Sequence, residues 1–284
     1  TDGNGRLCYL EPSEGGRIAV AEAARNVSCV GATPIAVTDC LNFGSPDDPA
    51  VYYQLAQVIE GMSEACRAFD IPVVSGNVSL YNESEGGAIW PTPVVGMLGL
   101  LPELSQRCDG GFHEPGDVVY LLGSGEPGLA GSEYLSHLHG RVAGRPSIDL
   151  PAEVALQRFV REAIAAGLLR SAHDCADGGL AVALAESAFR GGIGTSCRGG
   201  PLAAGVVGRA DVALFGEAQS RIVVSVAADA ARELEQRAGD AALPCRRLGS
   251  VGGDRLLIGP IDVSLEDARM IWVKGLAEAL AGEG

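Results

Sequence analysis

The sequence predicts an α/β fold, mixed α+β in character, arranged as two domains. Three observations predict it. Short apolar runs alternate with alanine-rich helical stretches in both halves of the chain. Pro34–Thr38 and Ile71–Val74 flank one long amphipathic stretch, an order of strand, helix and strand with room for a right-handed crossover. A glycine-rich polar stretch, Cys108–Asp117, then breaks the pattern, and the boundary is expected there, giving domains 1–107 and 108–284.

The elements follow in chain order. Gly15–Val27 is alanine-rich and reads as a helix that stops near Gly31. Pro34–Thr38 is a strand ending at Asp39. Asp48 caps the next helix, with Pro49 in its first turn. Val51, Leu55, Val58, Ile59, Met62, Ala65, Cys66 and Phe69 lie along one face of it at helical spacing. Ile71–Val74 is the second strand, and Pro93–Leu101 is strand-like. In the second domain Val118–Leu122 and Arg221–Val226 read as strands. Pro151–Ala166 reads as a helix closed by Gly167, and a second alanine-rich helix covers Leu180–Phe189. A last helix starts at Ser264 with Asp267 completing a capping box, and is expected to turn Leu265, Ala268, Ile271, Trp272 and Leu276 inward.

Composition narrows the chemistry. The 284 residues are 47% hydrophobic, enough for a sizeable core, and carry a formal net charge of −15. Such a chain repels phosphate backbones and anionic membranes, so neither DNA, RNA nor a membrane is an expected partner. A nucleotide ligand would need a metal ion or clustered backbone N–H groups to offset that field. Lys274 is the only lysine, and no phosphate-binding G-x-x-x-x-G-K-[ST] loop exists. None of the eight cysteines forms C-x-x-C; small buried thiols in a reduced cytoplasmic protein account for them. No apolar run spans a membrane and no signal peptide is visible. Thr1–Gly5 looks like the interior of a loop, so a piece of a longer polypeptide is expected.

Two strands share one design. Pro34–Asp39 and Ile71–Asn77 each run apolar and then turn polar. If they lie parallel, their carboxyl ends meet at the sheet edge where α/β proteins gather ligands. Asp39 and Asn77 would then face one ligand. Gly76 would let its backbone approach a phosphate, and Asn77 offers a neutral oxygen to a hard cation such as Mg2+. Ser79, one strand period beyond Asn77, would point to the same side as Asn77 and could hydrogen-bond a substrate. Against this, asparagine and glycine after a strand are most often a turn, and an aspartate there is most often a cap. Asp177-Gly178-Gly179 opens a helix and could attract an anion, but a tight turn capped by Asp177 explains the pattern better. His173 reads as a satisfied structural histidine, and His137 and His139 as surface residues.

TDCLNFGSP (Thr38–Pro46), SGNVSLYNE (Ser75–Glu83), PTPVVGMLG (Pro91–Gly99) and HDCADGGLAVALAES (His173–Ser187) resemble phosphoribosylformylglycinamidine synthase, the amidating ligase of purine biosynthesis. The resemblance runs in order along the chain and matches the second half of the synthetase subunit. It implies an aminoimidazole ribonucleotide synthetase-like fold, a two-domain half of a pseudo-symmetric enzyme. It implies that ATP activates the formamide oxygen of formylglycinamide ribonucleotide and that ammonia then displaces phosphate. By motif it implies ATP contacts at Asp39 and Gly76, a magnesium ligand at Asn77 and a substrate contact at Ser79. No catalytic residue is implied in this half. Implied partners are the first half of the synthetase, a glutaminase subunit, a small bridging subunit and the nucleotide substrate; a homodimer of this piece is a further possibility. Glu217-Ala218-Gln219 departs from the expected Glu-Ser-Gln. Another ATP-dependent enzyme of the same fold and a non-catalytic scaffold half are the alternatives.

Overall fold

The computed structural model describes residues 1–203 and 208–282. Helix α1 (Gly5–Leu10), capped by Asn4, leads into α2 (Pro12–Cys29), which has proline in its first turn. Strand β1 (Thr33–Asn42) follows, then α3 (Pro49–Phe69), where Asp48 accepts from the Ala50 N–H at 2.8 Å as expected of the cap. Strand β2 is Val73–Ser79. The polar residues after Val74 are therefore the strand itself and not a loop beyond it. A small hairpin, β3 (Glu83–Ser84) and β4 (Gly87–Ala88), precedes β5 (Thr92–Leu100).

These make a three-stranded sheet in the order β2-β1-β5, with β1 parallel to β2 and antiparallel to β5. The parallel pair is joined through α3, the predicted crossover. One face packs on α2 and α3. Val37, Leu41 and Val95 meet Ala19, Val20, Ala23, Val58, Met62 and Ala65 there in one buried cluster. The outer face is bare: Leu98 is 62% exposed and Leu100 is 57% exposed.

The second sheet is built from β6 (Val118–Leu122), β7 (Ser171–Asp174), β8 (Thr195–Cys197), β9 (Ile222–Val226), β10 (Cys245–Val251), β11 (Arg255–Ile258) and β12 (Ile261–Ser264). Its order is β12-β11-β8-β10-β6-β9-β7. All five residues of β6 and of β9 are buried, so helices cover both faces. Val119, Leu121 and Val223 face α6 (Gly179–Gly191) and α7 (Ala210–Phe215). Val118, Tyr120, Leu122, Ile222 and Val224 face α5 (Leu150–Ala165) and α8 (Ala231–Asp240). The period-2 alternation of a strand sends neighbours into opposite cores. A short helix α4 (Glu133–His139) and the terminal α9 (Leu265–Gly282) complete the described residues.

Two expectations need correction. Gly178, with φ of 78°, occupies the N-cap of α6 and makes no side-chain cap bond, so Asp177 does not cap. In α9 the capping contact forms, Ser264 Oγ accepting from the Asp267 N–H at 3.3 Å, but only Leu265 is buried. Ala268 still packs on the core and Trp272 lies against Phe189 of α6, with ring centroids 5.6 Å apart, but Ile271 is 72% exposed and Leu276 is 75% exposed.

Helix α2 is shared between the domains. Arg25, fully buried, donates from Nε to Glu153 Oε1 on α5 at 2.8 Å, to the Cys175 carbonyl at 3.4 Å, and to Gln219 Oε1. Glu153 also accepts from Gln157 Nε2 at 2.7 Å and Ser220 Oγ at 2.6 Å. Every charge of this buried pair is therefore hydrogen-bonded, the condition under which such a pair is tolerated. Ser28 Oγ donates to Gln157 Oε1 at 3.1 Å and extends the same clamp.

Candidate functional site

The register of β1 against β2 decides how the four expected site residues meet. Asp39 lies opposite Gly76, Cys40 opposite Asn77 and Asn42 opposite Ser79. Paired residues of parallel strands point to the same face. Asp39 stands between Val37 and Leu41, both buried, and so points toward α3. Its carboxylate folds across Gly76: a Cβ built on Gly76 would sit 2.3 Å from Asp39 Oδ1. The space that glycine leaves is taken by a carboxylate from the neighbouring strand. Burial raises the Asp39 carboxyl above its ordinary range.

Asn77 points the other way, onto the bare outer face, where its Nδ2 lies 3.9 Å from Cys40 Sγ. Asp39 and Asn77 therefore leave the expected shared edge on opposite faces of the sheet. The reason is strand geometry: residues one register step apart alternate sides. Because β2 is an edge strand, a ligand can still meet both groups, provided that it lies along the free edge beside Gly76 and Asn77.

Ser79 shares the outer face with Asn77, as expected. Its hydroxyl is held by the side chain of Asn82, with Nδ2 to Oγ at 3.0 Å, and Asn82 also donates to the Ser79 carbonyl at 2.9 Å and the Phe43 carbonyl at 3.0 Å. Asn82 thus fixes the Ser79 side chain, a contact that reading the sequence did not single out; its place three residues after Ser79 in a polar run was the available signal. Tyr81 between them has φ of 60°, a left-handed backbone that costs a bulky residue on the order of 1–3 kcal/mol. Such strain persists where surrounding bonds enforce it, here the Tyr81 N–H to the Gly44 carbonyl at 3.0 Å.

The metal question rests on few ligands. Among the described residues no group of three or more His, Cys, Asp or Glu side chains is placed to hold a metal ion. Asn77 offers one neutral oxygen on an open face. That fits Mg2+ held mainly by phosphates and water, which needs one or two protein ligands, and does not fit a protein cage.

The Asp-Gly-Gly turn is already occupied. Glu217 Oε1 accepts from the Gly178 N–H at 2.8 Å and from the Glu133 N–H at 2.8 Å. An internal carboxylate thus sits where the turn would offer N–H to a phosphate. Burial pushes the Glu217 carboxyl up to about 7, against the pull of those two N–H groups. His173 is satisfied, as expected. Nδ1 lies 2.8 Å from the Asp174 carbonyl and Nε2 lies 2.9 Å from Glu186 Oε2. Both partners only accept, so both ring nitrogens donate and the ring is an imidazolium. Burial works against that charge, but the hydrogen bonds to Asp174 and Glu186 carry the ring up to about 9.

Comparison with known proteins follows this geometry. The family model for the N-terminal domain of AIR synthase related proteins matches residues 1–101, and that for the C-terminal domain matches residues 114–259. The chain belongs to the AIR synthase related family. This AIR synthase related chain is 50% identical over 286 aligned residues to the phosphoribosylformylglycinamidine synthase subunit PurL of Moorella thermoacetica, covering 99% of the chain and 38% of that relative. It is 52% identical to the same subunit of Thermomicrobium roseum, covering 98% of the chain and 38% of the relative. The chain thus spans well under half the length of these relatives. Among solved structures it is similar to T. maritima PurL complexed with FGAR, with a TM-score of 0.76 at 20% identity, over 94% of this chain and 45% of that one. The AIR synthase-like fold expected from the motifs is the fold observed.

Proposed function

We propose that this chain is the second half of an ATP-dependent amidoligase that converts formylglycinamide ribonucleotide, glutamine-derived ammonia and ATP to formylglycinamidine ribonucleotide, ADP and phosphate. The similarity to PurL subunits supports the reaction. The observation that carries the site is the register of β1 on β2, which sets Asp39 over Gly76 and aligns Asn77 and Ser79 on one open face. The nucleotide lies along the free edge of β2. Asp39 and Gly76 contact ATP from one side, Asn77 ligates Mg2+ from the other, and Ser79, fixed by Asn82, contacts the ribonucleotide. The ion supplies neutralisation of phosphate charge when bound, which a chain of net charge −15 cannot do alone.

In the reaction the glycinamide carbonyl oxygen takes the γ-phosphoryl group and ADP leaves; ammonia then adds to that carbon and phosphate leaves with its oxygen, so the formyl group is kept. This half contributes positioning to that sequence. Catalytic groups come from the first half of the synthetase. The bare sheet face, with Leu98 62% and Leu100 57% exposed, supports that partner, because apolar surface of this kind marks an interface. A glutaminase and a small bridging subunit complete the assembly, in the cytoplasm. We place the domain boundary within Cys108–Asp117.

The test is ATP-dependent amidation by this chain alone and together with the first half. Activity is expected only from the pair. Robust turnover by this chain alone would sink the half-site reading.

A further inference from the structure

The second domain holds a cavity of about 770 Å3 that the proposed reaction does not use. Its floor is the carboxyl end of β6 at Leu121, and Leu202, Val212 and Leu214 form apolar walls. Four arginines line it, Arg198, Arg209, Arg221 and Arg246, against one carboxylate, Glu126. The topology gathers them. β6 lies between β9 and β10, with Leu122 paired to Ile222 and Leu121 to Arg246. Arg221, just before β9, and Arg246, on β10, therefore flank the end of β6 from both sides. Arg198 follows β8, the next strand over, and Arg209 precedes α7.

Their partners differ. Arg209 is paired with Asp211 at 2.5 Å, and Arg246 reaches exposed Glu126 at 3.6 Å. Arg198 has no ion pair among the described residues. Arg221 is the informative one. It is 1% exposed, and its guanidinium donates only to carbonyls, Gly216 at 2.6 Å and Ala218 at 3.3 Å. A buried guanidinium without a touching carboxylate is costly to keep, and desolvation pulls Arg221 below the usual arginine range. A chain of net charge −15 that gathers four arginines around one apolar-walled cavity has built an anion site there.

We propose that this cavity binds an organic phosphomonoester with a flat ring. The phosphate sits between Arg221 and Arg246, displacing Glu126, and the ring packs on Leu202, Val212 and Leu214. Guanidinium groups match phosphate oxygens in paired hydrogen bonds, and the apolar walls select against a bare ion. The site is distinct from the edge of β2.

The test is titration calorimetry on the full-length protein with phenyl phosphate, adenosine monophosphate and inorganic phosphate. Either ring-bearing phosphate, or both, is expected to bind at least roughly tenfold more tightly than inorganic phosphate, and the preferred one identifies the ring. Arg246→Gln, partly exposed and therefore expected to fold, should weaken that binding about tenfold or more, whereas Glu126→Gln should tighten it. Asn77→Ala should leave it unchanged, which separates this cavity from the β2 edge. Equal affinity for inorganic phosphate, no effect of Arg246→Gln, or loss of binding in Asn77→Ala would each overturn the assignment.

Discussion

At the scale of single residues, Asp39 and Gly76 act as one unit. The carboxylate fills the space that a side chain at 76 would need. Gly76→Ala must therefore displace Asp39, and the two positions should couple. In a double-mutant cycle with Asp39→Asn, read as the Michaelis constant for ATP in the full-length enzyme, the double variant should be no worse than the worse single one. Full additivity would mean that the residues act independently, since coupled neighbours depart from it by about 0.5–3 kcal/mol. His173 gives a second prediction. Replacing it with alanine removes two charge-assisted bonds, to the Asp174 carbonyl and to Glu186, and should cost about 2–4 kcal/mol in denaturant unfolding. A loss below about 0.5 kcal/mol would contradict the imidazolium reading.

Among elements, the clamp between α2 and α5 carries the most specific expectation. Arg25→Met leaves Glu153 buried and unpaired, at a cost of about 3–5 kcal/mol, whereas Arg25→Met with Glu153→Leu should recover most of it. Chemical denaturation of the three proteins checks this; a single variant as stable as the parent would show that the pair is not a clamp. This contact was illegible in the sequence, because Arg25 and Glu153 sit on helices 128 positions apart and neither belongs to a motif. The strand–helix–strand core was legible, since apolar spacing in α3 and the two flanking runs fixed it. What failed was the end of each strand. The second strand was ended at Val74, although it runs on to Ser79, because interior strands are apolar. β2 is an edge strand facing outward, so polar side chains cost it nothing. For Asp39 and Asn77, residue types suggested a shared ligand, but only the register reveals that they stand on opposite faces. In α9 the apolar period was real, yet beyond Leu265 it is met only in part, by the core at Ala268 and by Phe189 of α6 at Trp272, and Ile271 and Leu276 stay exposed. The place of Glu217 in the Asp-Gly-Gly turn was illegible because its partner, the Gly178 N–H, lies 39 positions away.

For the whole molecule, buried charge sets a pH profile. His173 is carried from 6.5 up to about 9, so its contribution is complete below about pH 6.5 and is lost as pH rises through 9. Burial pushes Asp2 up to about 6 and Glu217 up to about 7, so ionising them opposes folding increasingly between about pH 4 and 7. Glu186 is held below its ordinary range, first by its hydrogen bond from His173, and loses that contribution only on acidification below the usual carboxylate range. These signs agree above pH 5: the melting temperature should be highest near pH 5 and fall by on the order of 5 °C by pH 9.5, as scanning calorimetry would record. A melting temperature that climbs across that range would contradict the protonation states assigned here. At the same scale, the proposed function makes the nucleotide site a composite one, to which this chain would bring Asn77 and Ser79. The direct test is a magnesium titration of ATP-dependent amidation by the full-length protein, wild type against Asn77→Ala, with melting temperatures measured alongside. Loss of one ligand should raise the magnesium requirement roughly tenfold, while an exposed side chain shifts the melting temperature by no more than about 2 °C. An unchanged magnesium requirement accompanied by a large fall in melting temperature would mean that Asn77 only shapes the strand and that the site lies elsewhere.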